Sequence, residues 1–337
     1  MVLLDASWWC GGNRSRGVGR YLDAWLRKYS DSDPADRVWI FPRTSSEEQR
    51  SQCLRRYGGQ AVVVPDSADP GQLQIWWRSL LEEYSPQAVW ILSPFERPWS
   101  VLDFGPVLIP EGESETVAIH AIVFDLLPLE HPKTILQTWP DGDQQVYRER
   151  LQWLPHLQLH AISPHVRQQV ISLLQVPKER ITTLEFGLRT DWIEVPKDVP
   201  VRLSPSARPL VVSISGGEWR KNLRGTLAYF AESCPQSHRL VVICKLGRKD
   251  RIKLWWYTVR LGIARRVQFT GEISDSEKWA YLFQAERGLF LSRAEGLGIP
   301  LLEYSRAAIP RIVISPELEA NGFGALLQVS PEVATTE

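Results

Sequence analysis

The 337-residue sequence predicts two α/β domains, each a doubly wound parallel sheet, and three observations carry that prediction. Short β-branched runs alternate with helix-length amphipathic segments along the whole chain, the pattern of parallel strands joined by helical crossovers. The length matches about two domains, and 44% hydrophobic residues suffice for two separate cores. One stretch, EVPKDVPVRLSPSARP from Glu194 to Pro209, is rich in Pro and Ser and lacks periodicity. It places a linker over 195–208, between a first domain at 1–194 and a second at 209–337.

In chain order, the first domain's strands are expected in VLLDAS from Val2, RVWIFP from Arg37, AVVVP from Ala61, AVWILSP from Ala88, TVAIHAIVFDL from Thr116, LQLHAIS from Leu157 and ITTLEFG from Ile181. Helices fill most of the gaps. The plainest is SPHVRQQVISLLQV, with Ser163 as N-cap, Pro164 at the first helical position, and Val166, Val170, Leu173 and Leu174 on one apolar face. The second series runs PLVVSIS from Pro209, RLVVICKL from Arg239, RVQFTG from Arg266, RGLFLS from Arg287, PRIVIS from Pro310 and ALLQVS from Ala325. Two such domains on one linker are expected to face a cleft, and open α/β sheets bind ligands beyond the carboxyl ends of their strands.

Composition narrows the function. Lys plus Arg and Asp plus Glu both total 39, so no overall charge draws the chain to nucleic acid or an anionic membrane, and any anion site has to be local. The four cysteines show no CxxC or Cys/His ligand spacing, which argues against a metal site and for reduced thiols in a cytoplasmic protein. MVLLDASWWCGG carries Asp5 and only a short apolar run, unlike a secretory signal. No stretch approaches the ~18 apolar residues of a membrane span, so the expectation is a soluble protein, peripheral to a membrane at most. Fifteen tryptophans, several paired, are assigned mainly to packing, with aromatic faces that also suit sugar rings.

The sharpest local signal is LSRAEGLGIPLLEY, where Gly296 and Gly298 follow an expected strand and open an expected helix, with Glu295 before them and Glu303 after. Backbone N–H groups at such a helix start face an anion, and the two carboxylates reach hydroxyls on different parts of one elongated ligand. The plain alternative is a Gly-rich turn with two solvated glutamates. VVSISGGEWRKNLRGTLAYF repeats the strand, glycine turn and helix, with Arg220 and Lys221 at the turn. Adjacent cations where the helix dipole is also positive are costly unless an anion such as a diphosphate sits there; a solvated basic turn is the alternative. GVGRYLDAWL from Gly17 is a weaker glycine turn, without the third glycine of a dinucleotide fingerprint, and no GxxxxGK[ST] loop occurs.

Three segments in order, GGEWRKN from Gly216, FTGEISDSEKWAYLFQAE from Phe269 and SRAEGLGIPLLEY from Ser292, resemble the donor-domain motifs of the retaining glycosyltransferases of family 4, the group 1 transferases. That family has the GT-B architecture, two Rossmann-like domains facing a cleft. GVGRYLDAWL, VFDLLPLEHP from Val123 and AISPHVRQQV from Ala161 are similar to its N-terminal segments, so the resemblance covers nearly the whole chain.

The resemblance implies a nucleotide-sugar donor, no cofactor and no metal. Arg220 and Lys221 would neutralise the donor diphosphate as its bond to the sugar breaks. Glu295 would hold sugar hydroxyls and Glu303 the ribose. Gly216, Gly217 and the backbone of Gly296, Leu297, Gly298 and Ile299 would line the phosphates, while Gly17 and Gly19 would let the N-terminal loop approach the reaction centre. Hexose transfer with retention follows, of mannose or rhamnose type, to a glycan or lipid-linked acceptor in surface polysaccharide synthesis, in the cytoplasm or at the inner membrane face. The sequence departs from the family where Phe124 replaces a histidine before Asp125. His120, four residues earlier, is read first as a packed strand residue and second as an acceptor-side replacement, with Asp125 beside it. The chain also ends at SPEVATTE, where relatives continue into a helix that crosses back, so that helix is expected to be absent. Two other readings stay open: a non-catalytic GT-B protein that binds a nucleotide-sugar or a partner enzyme, and a nucleotide-sugar epimerase.

Overall fold

The computed structural model describes the chain except residues 13, 15, 67–68, 97–99, 102, 104, 106–116, 201–207, 328–330 and 335–337. Residues group into two compact units, Met1–Gly187 and Leu188–Glu337. Within the expected linker, 201–207 lie outside the described residues.

The first unit holds seven strands: β1 (Val2–Asp5), β2 (Arg37–Phe41), β3 (Gln60–Val63), β4 (Ala88–Ile91), β5 (Ala118–Val123), β6 (Gln158–Ala161) and β7 (Ile181–Thr183). They form one sheet in the order β3-β2-β1-β4-β5-β6-β7, parallel at every pairing. A parallel sheet needs helical cover on both faces, so its central strands read as unbroken apolar runs. All five residues of β2 are buried, whereas edge strand β3 is largely exposed.

The helix Pro164–Leu174 starts as expected, with Ser163 Oγ accepting the Val166 N–H at 3.2 Å. Its apolar stripe differs. Val166 and Val170 are buried beside Gln169, whose amide donates to Glu130 Oε2 at 2.6 Å, while Leu173 is exposed. A polar contact thus occupies the face that the expected Leu173 would have extended.

The second unit has six strands, β8 (Leu210–Ile214), β9 (Arg239–Ile243), β10 (Val267–Phe269), β11 (Ala285–Phe290), β12 (Arg311–Ile314) and β13 (Glu332–Val333). Their order is β10-β9-β8-β11-β12-β13, again all parallel. Val211, Leu227, Phe230, Val242, Leu289 and Val313 lie at the centre of a core on one face. The strand expected from Ala325 is corrected: Phe323–Leu326 is a 3-10 turn, and β13 comes later. Gly322, at φ 78°, bends the backbone out of the extended region just before that run. Residues 328–330 of the expected strand lie outside those described.

Both sheets reverse strand order once, between β1 and β4 and between β8 and β11. Such a reversal opens a crevice at the carboxyl ends of the two strands, and in the second unit both motifs singled out from sequence leave from that point.

Candidate donor site at the strand-order reversal

Pairing between β8 and β11 ends at Val212 and Gly288. One step further, the Tyr304 hydroxyl accepts the Ile214 N–H at 2.8 Å and donates to the Leu289 carbonyl at 3.3 Å, bridging strands that no longer bond directly. Gly288 makes room for this, since a Cβ there would lie 2.7 Å from the Tyr304 ring. The phenol therefore fixes the spacing of the two chain segments that turn off the sheet.

After β8 the chain passes Ser215, Gly216 and Gly217 into a short 3-10 turn, Trp219–Lys221, before the helix Leu223–Ser233. Sequence reasoning expected the cations at the helix start; the structure interposes this turn and redirects the chain through Asn222 in the left-handed region, at φ 45°. Ser215 Oγ donates to the Lys221 carbonyl at 3.3 Å and holds the turn against the strand end. After β11, Gly298 adopts φ 73° and opens the helix Ile299–Arg306; a Cβ there would also sit 3.2 Å from Phe323. In the first turn of this helix Pro300 carries no N–H and the Leu301 N–H donates to the Gly298 carbonyl at 2.8 Å, so the amides expected to face an anion are those that precede Pro300. Leu297 is buried, so its side chain serves the core and only its backbone is at the turn.

The corners meet. Arg293 N–H donates to the Arg220 carbonyl at 2.7 Å, tying one backbone to the other. Glu295, 5% exposed, accepts from Arg220 Nη1 at 2.7 Å through Oε2 and from Lys221 Nζ at 2.6 Å through Oε1. Arg220 also reaches Glu218 at 2.8 Å, and Lys221 Nζ lies 5.6 Å from the Phe290 ring centre. Burial pushes the Glu295 carboxyl up, but the charges of Lys221 and Arg220 and hydrogen bonds from Lys221 and Ser292 outweigh it and hold the group below its ordinary value of 4.5. A group depressed in this way stabilises the fold fully above its unfolded value, and that contribution is lost only as pH falls through the lower folded value. Near neutral pH the carboxylate is therefore ionised and occupies the charge pair that a phosphate anion would seek.

Glu295→Gln is expected to release both cations, so a nucleoside diphosphate binds more tightly while transfer falls by about 10²-fold, the scale of losing one well-placed polar contact to the reacting group. An intact rate, measured beside calorimetric nucleotide affinity, would overturn the sugar-holding role expected of Glu295.

Glu303 lies elsewhere in its own bonding. It is 2% exposed, and its Oε1 accepts from Lys278 Nζ at 2.8 Å; that ammonium also reaches Asp275 at 2.6 Å. Sequence reading missed Lys278. Its signal was a lysine beside Trp279 on the buried face of the helix Asp275–Gln284, which Ser274 and Glu277 start with a reciprocal capping box.

Gly216 and Gly217 take no left-handed φ, and a Cβ on either would meet only ordinary contacts, at 3.7 Å from Lys221 Cγ and 3.5 Å from Leu246. The ligand-free fold thus tolerates a methyl group at Gly216. Gly216→Ala is expected to leave the thermal midpoint within about 1–2 °C, in the range of a neutral substitution, and to weaken nucleotide binding. Equal losses in both measurements would make the glycine structural. The pocket beside this turn is lined by Gly216, Gly217, Trp219, Arg224, Lys253 and Arg293.

In the first unit, Gly17 begins the helix Gly17–Ala24. A Cβ on Gly19 would overlap the Arg14 carbonyl, so Gly19 is glycine at least to admit its own loop. Asp125, just past β5, accepts the Leu127 N–H at 3.2 Å. Phe124 packs edge-on against Tyr21 with ring centres 5.4 Å apart. His120 sits inside β5, stacked 4.5 Å from Trp90, and its Nδ1 shares a 2.9 Å hydrogen bond with His160. Burial lowers the His120 pKa and, with His120 beside it, holds His160 at about 4, which keeps the pair neutral.

Asp5 ends β1 at the other strand-order reversal. It accepts from the Ser7 and Val101 N–H groups and the Ser100 hydroxyl, and burial raises it to about 6 against the pull of those bonds. All four cysteines are free thiols, and Cys53, Cys234 and Cys244 are buried. Among the described residues no helix is long and apolar enough to cross a membrane.

Residues 195–320 match the family described as glycosyl transferases group 1, and the two parallel-sheet units have the fold of GT-B glycosyltransferases. The chain is 24% identical over 320 residues to O-antigen chain mannosyltransferase B of Escherichia coli, across 87% of this chain and 77% of that protein. Its fold is similar to that of Anabaena HepE solved with UDP, with a TM-score of 0.64 and 14% identity over 99% of this chain and 85% of HepE. The lipopolysaccharide outer core galactosyltransferase WaaB, in its apo form, gives the same TM-score, identity and coverage.

Proposed function

We infer that the protein is a glycosyltransferase of surface polysaccharide synthesis that moves a hexose from a nucleotide-sugar to a glycan or lipid-linked acceptor. The observation that carries this reading is the convergence of Arg220, Lys221 and Glu295 where β8 and β11 part, beside the glycine-opened helix. Two cations and an amide-rich turn suit a diphosphate leaving group, whose charge grows as the glycosidic bond breaks, and they supply that stabilisation from side chains without a metal ion. Glu295 then exchanges its cations for sugar hydroxyls as the diphosphate arrives, and Glu303 holds the ribose. Retention of configuration and membership of family 4 rest on the motif resemblance. A mannose donor is supported by the E. coli mannosyltransferase, and action at the cytoplasmic face of the membrane by the type of product.

A thermal-shift panel of nucleotides and nucleotide-sugars tests the reading. A ligand at 100 times its Kd stabilises by about 2.7 kcal/mol, so one nucleoside diphosphate series is expected to raise the midpoint by several degrees. Silence across the panel would end the donor assignment. Phe124 in place of histidine favours one second reading, a donor-binding protein without turnover. Release of free nucleotide in the presence of acceptor separates the two.

A further inference from the structure

The first unit has a groove between the helices Gly17–Ala24 and Glu47–Tyr57, lined by Trp9, Arg14, Arg20, Arg55, Arg56 and Tyr57, with Asp23 as its carboxylate. That carboxylate is shared among several donors. Arg56 reaches it at 2.6 and 2.8 Å, Arg27 at 2.7 Å, and the Tyr57 hydroxyl donates at 2.6 Å. Two guanidiniums on one carboxylate leave a positive charge. Arg14 and Arg55 have no carboxylate partner among the described residues and add two more.

Arg14 is held in place. The Arg14 guanidinium lies 3.5 Å above the Trp9 ring centre, and its two terminal nitrogens donate to Gln52 Oε1 at 3.2 and 3.1 Å. Trp9 is itself anchored, its indole N–H donating to the Gln49 carbonyl at 2.8 Å. The bare Cα of Gly19 lets the Arg14 backbone sit tightly beneath. Guanidiniums gathered around one groove repel one another, and the arrangement is favourable when an anion with several acceptor oxygens lies among them.

We propose that this groove binds a phosphate or diphosphate group, carried by a phosphorylated glycan or by a lipid headgroup. All of the groove's residues belong to the first unit, and the proposal does not depend on the proposed transfer. Calorimetric titration of the full chain with inorganic pyrophosphate at low ionic strength is the test, comparing wild type with Arg55→Gln and Arg14→Gln. Each substitution is expected to weaken one component of binding about tenfold, the scale of one charge-assisted hydrogen bond. The nucleoside diphosphate component at the donor corner, the one that Lys221→Ala removes, should stay unchanged in both variants. Arg55 is exposed and has no carboxylate partner, so Arg55→Gln keeps the test open if Arg14→Gln folds poorly. Pyrophosphate binding identical in affinity and stoichiometry across the three proteins overturns the proposal, whatever becomes of the donor site. Phosphatidylcholine vesicles with and without phosphatidylglycerol then identify the source. Loss of co-sedimentation with the anionic vesicles in the variants assigns the group to a headgroup, and unchanged co-sedimentation alongside weakened pyrophosphate binding assigns it to a soluble phosphorylated ligand.

Discussion

Lys221→Ala is expected to weaken nucleoside diphosphate binding by about 1.5–3 kcal/mol, the value of a hydrogen bond to a charged group, and to lower turnover by about 10²–10³-fold. The second effect exceeds the first because charge on the leaving diphosphate is greater in the transition state than in the bound donor, and only interactions that strengthen along that path accelerate the step. The fold should survive, since Glu295 keeps its 2.7 Å contact with Arg220. Lys221→Arg is expected to recover part of the binding and less of the rate, because a planar fork cannot reproduce the position of a point ammonium 2.6 Å from Glu295. Calorimetry with the nucleotide found in the thermal-shift panel, paired with nucleotide-release rates, separates the two losses. Affinity and rate both equal to wild type would mean that Lys221 serves only to neutralise a buried carboxylate.

The strands were legible because both faces of a parallel sheet are covered, and so RVWIFP and RLVVICKL carry no polar alternation to confuse their period. Where local rules compete, legibility ends. The run from Ala325 has strand-like composition, yet after Gly322 and a buried Phe323 its first two residues, Ala325 and Leu326, belong to a 3-10 turn. At the candidate site, the glycine turns and the neighbouring cations could be read from short-range order, since each lies within one strand-to-helix corner. Their meeting could not: Lys221 and Glu295 are 74 positions apart, and only the strand order brings β8 beside β11. The ion pairs of Arg220 and Lys221 were also out of reach, because nothing local states that Glu295 would turn back onto them. Tyr304 illustrates the same limit. It follows Glu303 in sequence as one more apolar helix residue, while its hydroxyl bridges the β8 and β11 ends that carry both corners.

Lys278→Ala is expected to have the largest effect on stability, about 3–5 kcal/mol, the usual cost of removing one partner from a buried ion pair. Glu303 would be left 2% exposed without the ammonium now 2.8 Å away, in surroundings where an ionised carboxylate is poorly solvated. Asp275 offers no relief to it, being the acidic second partner of the same lysine. The double substitution Lys278→Met with Glu303→Gln should regain much of the loss, because both members of the ion pair are then neutral, and the difference measures the coupling between them. Denaturant unfolding of the single and double variants supplies those numbers. If Glu303 also holds the donor ribose, Lys278 positions it. Lys278→Met should then weaken binding of the nucleoside diphosphate while leaving inorganic pyrophosphate affinity unchanged. Equal stability of Lys278→Ala and wild type would show the pair to be solvated, and a parallel loss of pyrophosphate binding would place Lys278 with the phosphate-binding cations.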